Sequence, residues 1–63
     1  MRVLFIGDIV GRSGREVVAA NLGELKRRLA LDLVVANGEN AAGGFGITPA
    51  VCEALYQSGI DVI

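Results

Sequence analysis

Histidine is absent from the 63 residues of this chain, and cysteine occurs once, at Cys52. These two absences exclude an internal disulfide, and they exclude a zinc site built from cysteine and histidine within the chain. Cys52 lies in a helical pattern, where we expect it to pack against its neighbours rather than to react. There is also no apolar run approaching the ~20 residues that a transmembrane helix requires.

An excess of charge of one sign is lacking as well, since six basic residues stand against seven acidic ones and the net charge is −1. This balance produces no field that would attract DNA or an anionic membrane. The first residues carry one positive charge and a short apolar stretch that ends at Asp8, which is not the pattern of a signal peptide. We therefore expect a cytoplasmic protein that binds neither DNA nor membranes, and we leave open whether it forms a homo-oligomer.

Apolar residues are abundant, at 52% of the chain, and their spacing predicts the secondary structure. Residues 3–6 and 31–36 form nearly continuous apolar runs without alternation, which is typical of parallel strands covered on both faces. Between them, apolar residues recur at the spacing of one helical face. The residues of this predicted face are Val18, Leu22, Leu25 and Leu29.

Local signals predict where two helices begin and end. Ser13 and Glu16 have the spacing of a capping box at the start of the first helix. Thr48 is suited to the N-cap of the second helix, with Pro49 at its first position. Gly59 stands where a glycine commonly ends a helix.

The predicted order of elements is β-α-β-α-β, because residues 61–63 begin a third apolar strand. Right-handed crossovers between parallel strands place this arrangement in the α/β class. Two helices cannot easily cover both faces of a three-stranded apolar sheet, and a chain of this length buries only about 60% of its unfolded surface. We therefore interpret residues 1–63 as the N-terminal segment of a single, larger α/β domain.

Polar residues follow the first two predicted strands directly. Asp8 comes after the first strand, and Glu39 and Asn40 come shortly after the second. Ligands of α/β sheets collect at these strand ends, where neighbouring backbones are ~4.8 Å apart. Two carboxylates so close would need a cation or a shared proton, and hard oxygen ligands suit Mg, Mn or Fe. The alternative is that Asp8 caps its own loop and Glu39 is a solvated acid.

Glycines near the strand ends invite a nucleotide-binding interpretation, which their spacing disfavours. Gly7, Gly11 and Gly14 follow the pattern G-x3-G-x2-G, whereas the dinucleotide fingerprint is G-x-G-x-x-G. Asp8 would also repel a pyrophosphate unless a metal lay between them. Four further glycines among residues 38–46 predict a mobile loop with tight backbone turns, or one that approaches a substrate closely.

Two arginines near the start of the first helix have two open interpretations. Arg12 and Arg15 could contact a phosphate, assisted by the free N–H groups of the helix start. Alternatively, both are solvated surface residues. The sequence does not distinguish between these roles.

Taken together, the strings LFIGDIVG at residues 4–11 and NGENAAG at residues 37–43 resemble a known family. They are similar to the bacterial YmdB-like metallophosphoesterases, which are dinuclear members of the calcineurin-like fold. The resemblance implies a layered metallophosphoesterase α/β sandwich in which Asp8 ligates one metal, Glu39 bridges both and Asn40 is a further ligand of the first. It also implies a pair of iron or manganese ions and the hydrolysis of small phosphoesters such as cyclic nucleotides.

The same resemblance places the catalytic acid, a histidine in a Gly-Asn-His motif, beyond residue 63. No catalytic residue is therefore assigned within the chain, and the 63 residues alone are expected to be inactive. A competing interpretation from a different class is a non-catalytic nucleotide-binding or interaction module. Such a module would complete its sheet with a partner chain along the edge of the third strand.

Overall fold

A computed structural model describes residues 1–43 and 46–63 and shows two parallel strands and two helices. In chain order these are β1 (Val3–Ile6), α1 (Gly11–Leu29), β2 (Leu33–Ala36) and α2 (Pro49–Ser58). The strands pair in parallel, from Val3 opposite Leu33 to Ile6 opposite Ala36. The predicted α/β class and the order of these elements are confirmed. Neither helix in the described ranges combines the length and apolarity needed to cross a membrane.

The predicted third strand is present as a single parallel bridge between Val35 and Val62. Val62 accepts a hydrogen bond from the N–H of Ala36 at 2.9 Å and donates one to the carbonyl of Val34 at 3.1 Å. The segment therefore lies beside β2, on the side away from β1.

The start of α1 differs from the prediction. The helix begins at Gly11, with Val10 as its N-cap residue and no side chain capping it. The proposed capping box of Ser13 and Glu16 is therefore wrong, because the chain has already entered the helix when it reaches Ser13. The Glu16 carboxylate instead accepts a hydrogen bond from Arg12 Nε at 3.0 Å, as part of an exposed ion pair one helical turn apart.

Both predicted ends of α2 are confirmed. The Thr48 side chain accepts a hydrogen bond from the N–H of Val51 at 3.2 Å, and Pro49 occupies the first helical position. Gly59 ends the helix with a φ of 116°, a conformation that side chains rarely adopt. Cys52 is half-buried in this helix, consistent with the predicted packing role.

The core lies on one face of the sheet. Leu22 of α1, Val34 of β2 and Leu55 of α2 are fully buried there, and the two helices also contact each other. On the opposite face, Val3 and Phe5 are 53% and 66% exposed. Among the described residues, the predicted cover is therefore present on one face of the sheet and not on the other, because both helices pack on the same side.

Candidate metal centre

The backbone pairing of β1 and β2 continues past the ends of both strands. The N–H of Asn37 donates to the carbonyl of Ile6 at 3.0 Å, and the N–H of Ile9 donates to the carbonyl of Asn37 at 3.1 Å. Asp8 lies between these two bonds in the chain. The parallel ladder therefore brings Asp8 beside the residues that follow β2.

Asp8 and Asn40 are in direct contact, although they are 32 positions apart in the chain. The side-chain nitrogen of Asn40 lies 3.1 Å from each carboxylate oxygen of Asp8. The Asp8 side chain is exposed and Asn40 is half-buried, so the pair faces solvent at the carboxyl ends of the strands. The sequence suggested an approach of Asp8 and Glu39, whereas the residue in hydrogen-bond contact with Asp8 here is Asn40.

Glu39 is exposed, and both its backbone and its carboxylate contact Asn37. The N–H of Glu39 donates to Asn37 Oδ1 at 3.1 Å, and Asn37 Nδ2 donates to Glu39 Oε1 at 3.3 Å. Glu39 is therefore an exposed loop acid with one carboxylate oxygen held by Asn37. The other oxygen is available to a further partner.

The start of α1 supports the turn that carries Glu39 and Asn40. The N–H of Gly11 donates to the carbonyl of Asn40 at 3.1 Å. Arg15 Nη1 donates to the carbonyl of Ala41 at 2.6 Å, in a half-buried contact. Arg15 is thus not a purely solvated surface residue, because one of its guanidinium nitrogens is bound to the turn. Arg12 is the solvated one, paired with Glu16.

The side chains at this site are chemically suited to a hard cation. The Asp8 carboxylate, the Glu39 carboxylate and the Asn40 amide all offer oxygen ligands, which Mg, Mn and Fe accept. Asn40 presents its nitrogen to Asp8, and a half-turn of the amide would present its oxygen on the same side. Within residues 1–43 and 46–63, no three His, Cys, Asp or Glu side chains cluster as a complete metal site. The described residues therefore fit part of a ligand set.

Two residues of the site were not identified from the sequence in these roles. The contact of Asn37 could have been found, because an Asn that follows a strand often hydrogen-bonds the backbone two residues further on, in an Asx turn. The contact of Arg15 with Ala41 has no local signal, since it depends on how α1 packs against the turn. Of the glycines that predicted a loop here, Gly44 lies outside the described residues.

Two solved structures are similar to this chain over nearly its whole length. One is a hypothetical protein from Thermus thermophilus, with a TM-score of 0.90, 44% identity and coverage of 98% of this chain and 24% of that protein. The other is described as a novel phosphatase from Mycoplasma pneumoniae, with a TM-score of 0.92, 34% identity and coverage of 95% and 22%. Both support the α/β arrangement described above.

A relative with an assigned activity is the 2′,3′-cyclic-nucleotide 2′-phosphodiesterase of Bacillus subtilis (strain 168). It is 46% identical over all 63 residues, which correspond to 24% of its own length. The chain thus spans about a quarter of that relative. Residues 4–63 also match the family described as YmdB-like protein. With nearly all of its residues inside that match, the chain belongs to the YmdB-like family.

Proposed function

We propose that this chain forms the first part of a metal-dependent phosphodiesterase domain of the metallophosphoesterase type. The observation that carries the proposal is the contact between Asp8 and Asn40, with Glu39 on the same turn. A relative named as a cyclic-nucleotide phosphodiesterase supports it. The proposed location is the cytoplasm, and the proposed substrates are small phosphoesters, including cyclic nucleotides.

The proposed ligand roles follow from the oxygen donors at the strand ends. Asp8 and Asn40 would hold one ion, and Glu39 would bridge it to a second, with iron or manganese as the ions. When bound, such a pair polarises the phosphoryl oxygens and supplies a hydroxide nucleophile at neutral pH. The chain's own contribution is to hold the oxygen ligands in place. The ladder bonds of Asn37 fix the backbone before Glu39, and the bond from the Gly11 N–H fixes the carbonyl of Asn40.

We propose that a histidine protonates the leaving oxygen, as the family resemblance implies, and the 63 residues contain no histidine. We therefore place the general acid, together with the remaining ligands, in residues other than these 63. The 63-residue chain alone is accordingly proposed to be inactive. Its role is to supply one side of the site and the strands that position it.

A chimaera tests the proposal in a complete protein. Residues 1–63 are grafted in place of the matching segment of the Bacillus subtilis relative, and hydrolysis of 2′,3′-cyclic AMP is measured with Mn²⁺. We expect the chimaera to be active and the 63-residue chain to be inactive. Removing a partner behind a metal ligand already costs about 10- to 100-fold in metal affinity or activity, so Asp8→Asn and Glu39→Gln should each lower kcat/KM by about 100-fold or more.

Glu24→Gln is the matched control, because Glu24 is an exposed acid on α1 and the change in charge is identical. Its activity and its Mn²⁺ affinity by calorimetry should equal those of the unmodified chimaera. If Glu39→Gln also left both values unchanged, Glu39 would not be a ligand and the proposed centre would be wrong. An active chimaera that holds no metal would equally contradict the proposal.

A further inference from the structure

The side chain of Asn37 makes two hydrogen bonds to a single residue, Glu39. Its carbonyl oxygen accepts the Glu39 N–H at 3.1 Å, and its amino group donates to Glu39 Oε1 at 3.3 Å. The orientation of the amide is settled chemically, because only the oxygen can accept a bond from an N–H. Asn37 thus holds both the backbone and the carboxylate of the same acid.

Asn37 is itself fixed by the sheet. Its N–H and its carbonyl both take part in the ladder between the strands, with Ile6 and Ile9 as partners. The residues on either side of it, Ala36 and Gly38, are buried. The side chain therefore projects from one of the most constrained points of the site, whereas Glu39 lies exposed two positions further on.

An exposed glutamate samples many side-chain rotamers, and binding a cation with it requires that most of them be given up. The bond from Asn37 Nδ2 to Oε1 selects the rotamers in which that oxygen faces Asn37. Oε2 and the second lone pair of Oε1 stay available to a cation. Partners of this kind behind a metal ligand commonly tune its affinity.

We propose that Asn37 is a positioning residue that fixes the direction of the Glu39 carboxylate at the carboxyl ends of the strands. This inference rests on the proposed function, because it takes Glu39 to be a metal ligand. The inference adds to the proposed function a residue that touches neither metal nor substrate. It also separates two tasks of Asn37: the bond to the Glu39 N–H shapes the turn, and the bond to Oε1 aims the ligand.

The test is a double-mutant cycle in the chimaera, read out as Mn²⁺ affinity by calorimetry. Asn37→Ser removes the amino group but keeps an oxygen that can accept the turn N–H. We expect it to weaken Mn²⁺ binding by about 10-fold when Glu39 is present. In the Glu39→Ala background the same substitution should have no further effect, because the side chain through which Asn37 acts is gone.

The result that overturns the inference is an equal loss of affinity in both backgrounds, which would mean that Asn37 supports the turn and not the carboxylate. An unchanged affinity in Asn37→Ser, with a clear loss in Glu39→Ala, would also overturn it while leaving the proposed function intact. If Glu39→Ala itself changed nothing, the proposed function would fail and this inference with it. Asn37→Thr, with a hydroxyl in the same position, is the second variant should Asn37→Ser not fold, and it should show the same coupling to Glu39.

Discussion

Gly38 joins Asn37 to Glu39, and the structure leaves no room for a side chain there. A Cβ at this position would lie 2.9 Å from Ile63 Cγ2 and 3.2 Å from Ile47 Cδ1. Ile63 is β-branched and stiff, so the first contact cannot be relieved by a simple rotation. Overpacking of this kind typically costs about 1–3 kcal/mol. Gly38→Ala should therefore destabilise the fold by that amount.

The assay is thermal unfolding of the chimaera, whose length is that of the Bacillus subtilis relative, about 260 residues. In a protein of that size, a loss of about 1 kcal/mol lowers Tm by roughly 2–4 °C. Gly38→Ala should thus lower Tm by about 2–12 °C. The control is Gly23→Ala in α1, where a Cβ would meet nothing within 4 Å. That substitution should raise stability by about 0.5–1 kcal/mol, since glycine is unfavourable inside a helix.

A double variant isolates the cause of the loss. Adding Ile63→Ala to Gly38→Ala removes the methyl group at 2.9 Å and should recover part of the lost Tm, when compared with Ile63→Ala alone. A Gly38→Ala chimaera that melts at the unmodified temperature would refute the reasoning. So would a double variant in which the two losses simply add.

Two further substitutions test contacts around the site and the second helix. Arg15→Met removes the 2.6 Å bond to Ala41 and should cost about 1.5–3 kcal/mol of stability, together with some Mn²⁺ affinity. Its control, Arg12→Met, breaks an exposed ion pair and should cost under about 0.5 kcal/mol, so equal melting temperatures for the two variants would contradict the reasoning. Thr48→Ala removes the cap on the Val51 N–H and should cost about 1 kcal/mol in thermal unfolding, and Thr48→Ser should restore most of it. An unaltered Tm in Thr48→Ala would show that the cap contributes nothing.

Features that depend on a few neighbouring residues could be predicted from the sequence. Thr48, Pro49 and Gly59 mark the ends of α2 correctly, because capping and glycine termination act within one turn. The two apolar runs became the paired strands for the same reason, although β2 begins at Leu33 and not at residue 31. The meeting of Asp8 with residues after β2 follows from parallel pairing alone.

Features set by tertiary contacts could not be predicted in this way. The start of α1 was misplaced because the N–H of Gly11 bonds to the carbonyl of Asn40, a distant partner in the chain that no local pattern reveals. The role of Arg15 was missed because its partner, Ala41, becomes its neighbour only after α1 has packed. The sequence also could not show that both helices occupy one face of the sheet. Apolar spacing shows which face of a helix is buried, but not which side of the sheet the helix covers.

The hydrogen bonds that bring Asp8 to Asn40 run from main chain to main chain, with Ile9, Gly11 and Asn37 as the donors. Any residue except proline carries such a donor. Many strand and helix residues can therefore diverge in evolution while these bonds persist, as long as no proline enters the three positions and Gly11, at a φ of 60°, stays glycine. A TM-score of 0.92 at 34% identity is consistent with this tolerance. The main chain therefore sets the distance between Asp8 and Asn40, and variation nearby is limited mainly where a side chain or a clash matters, as at Gly38.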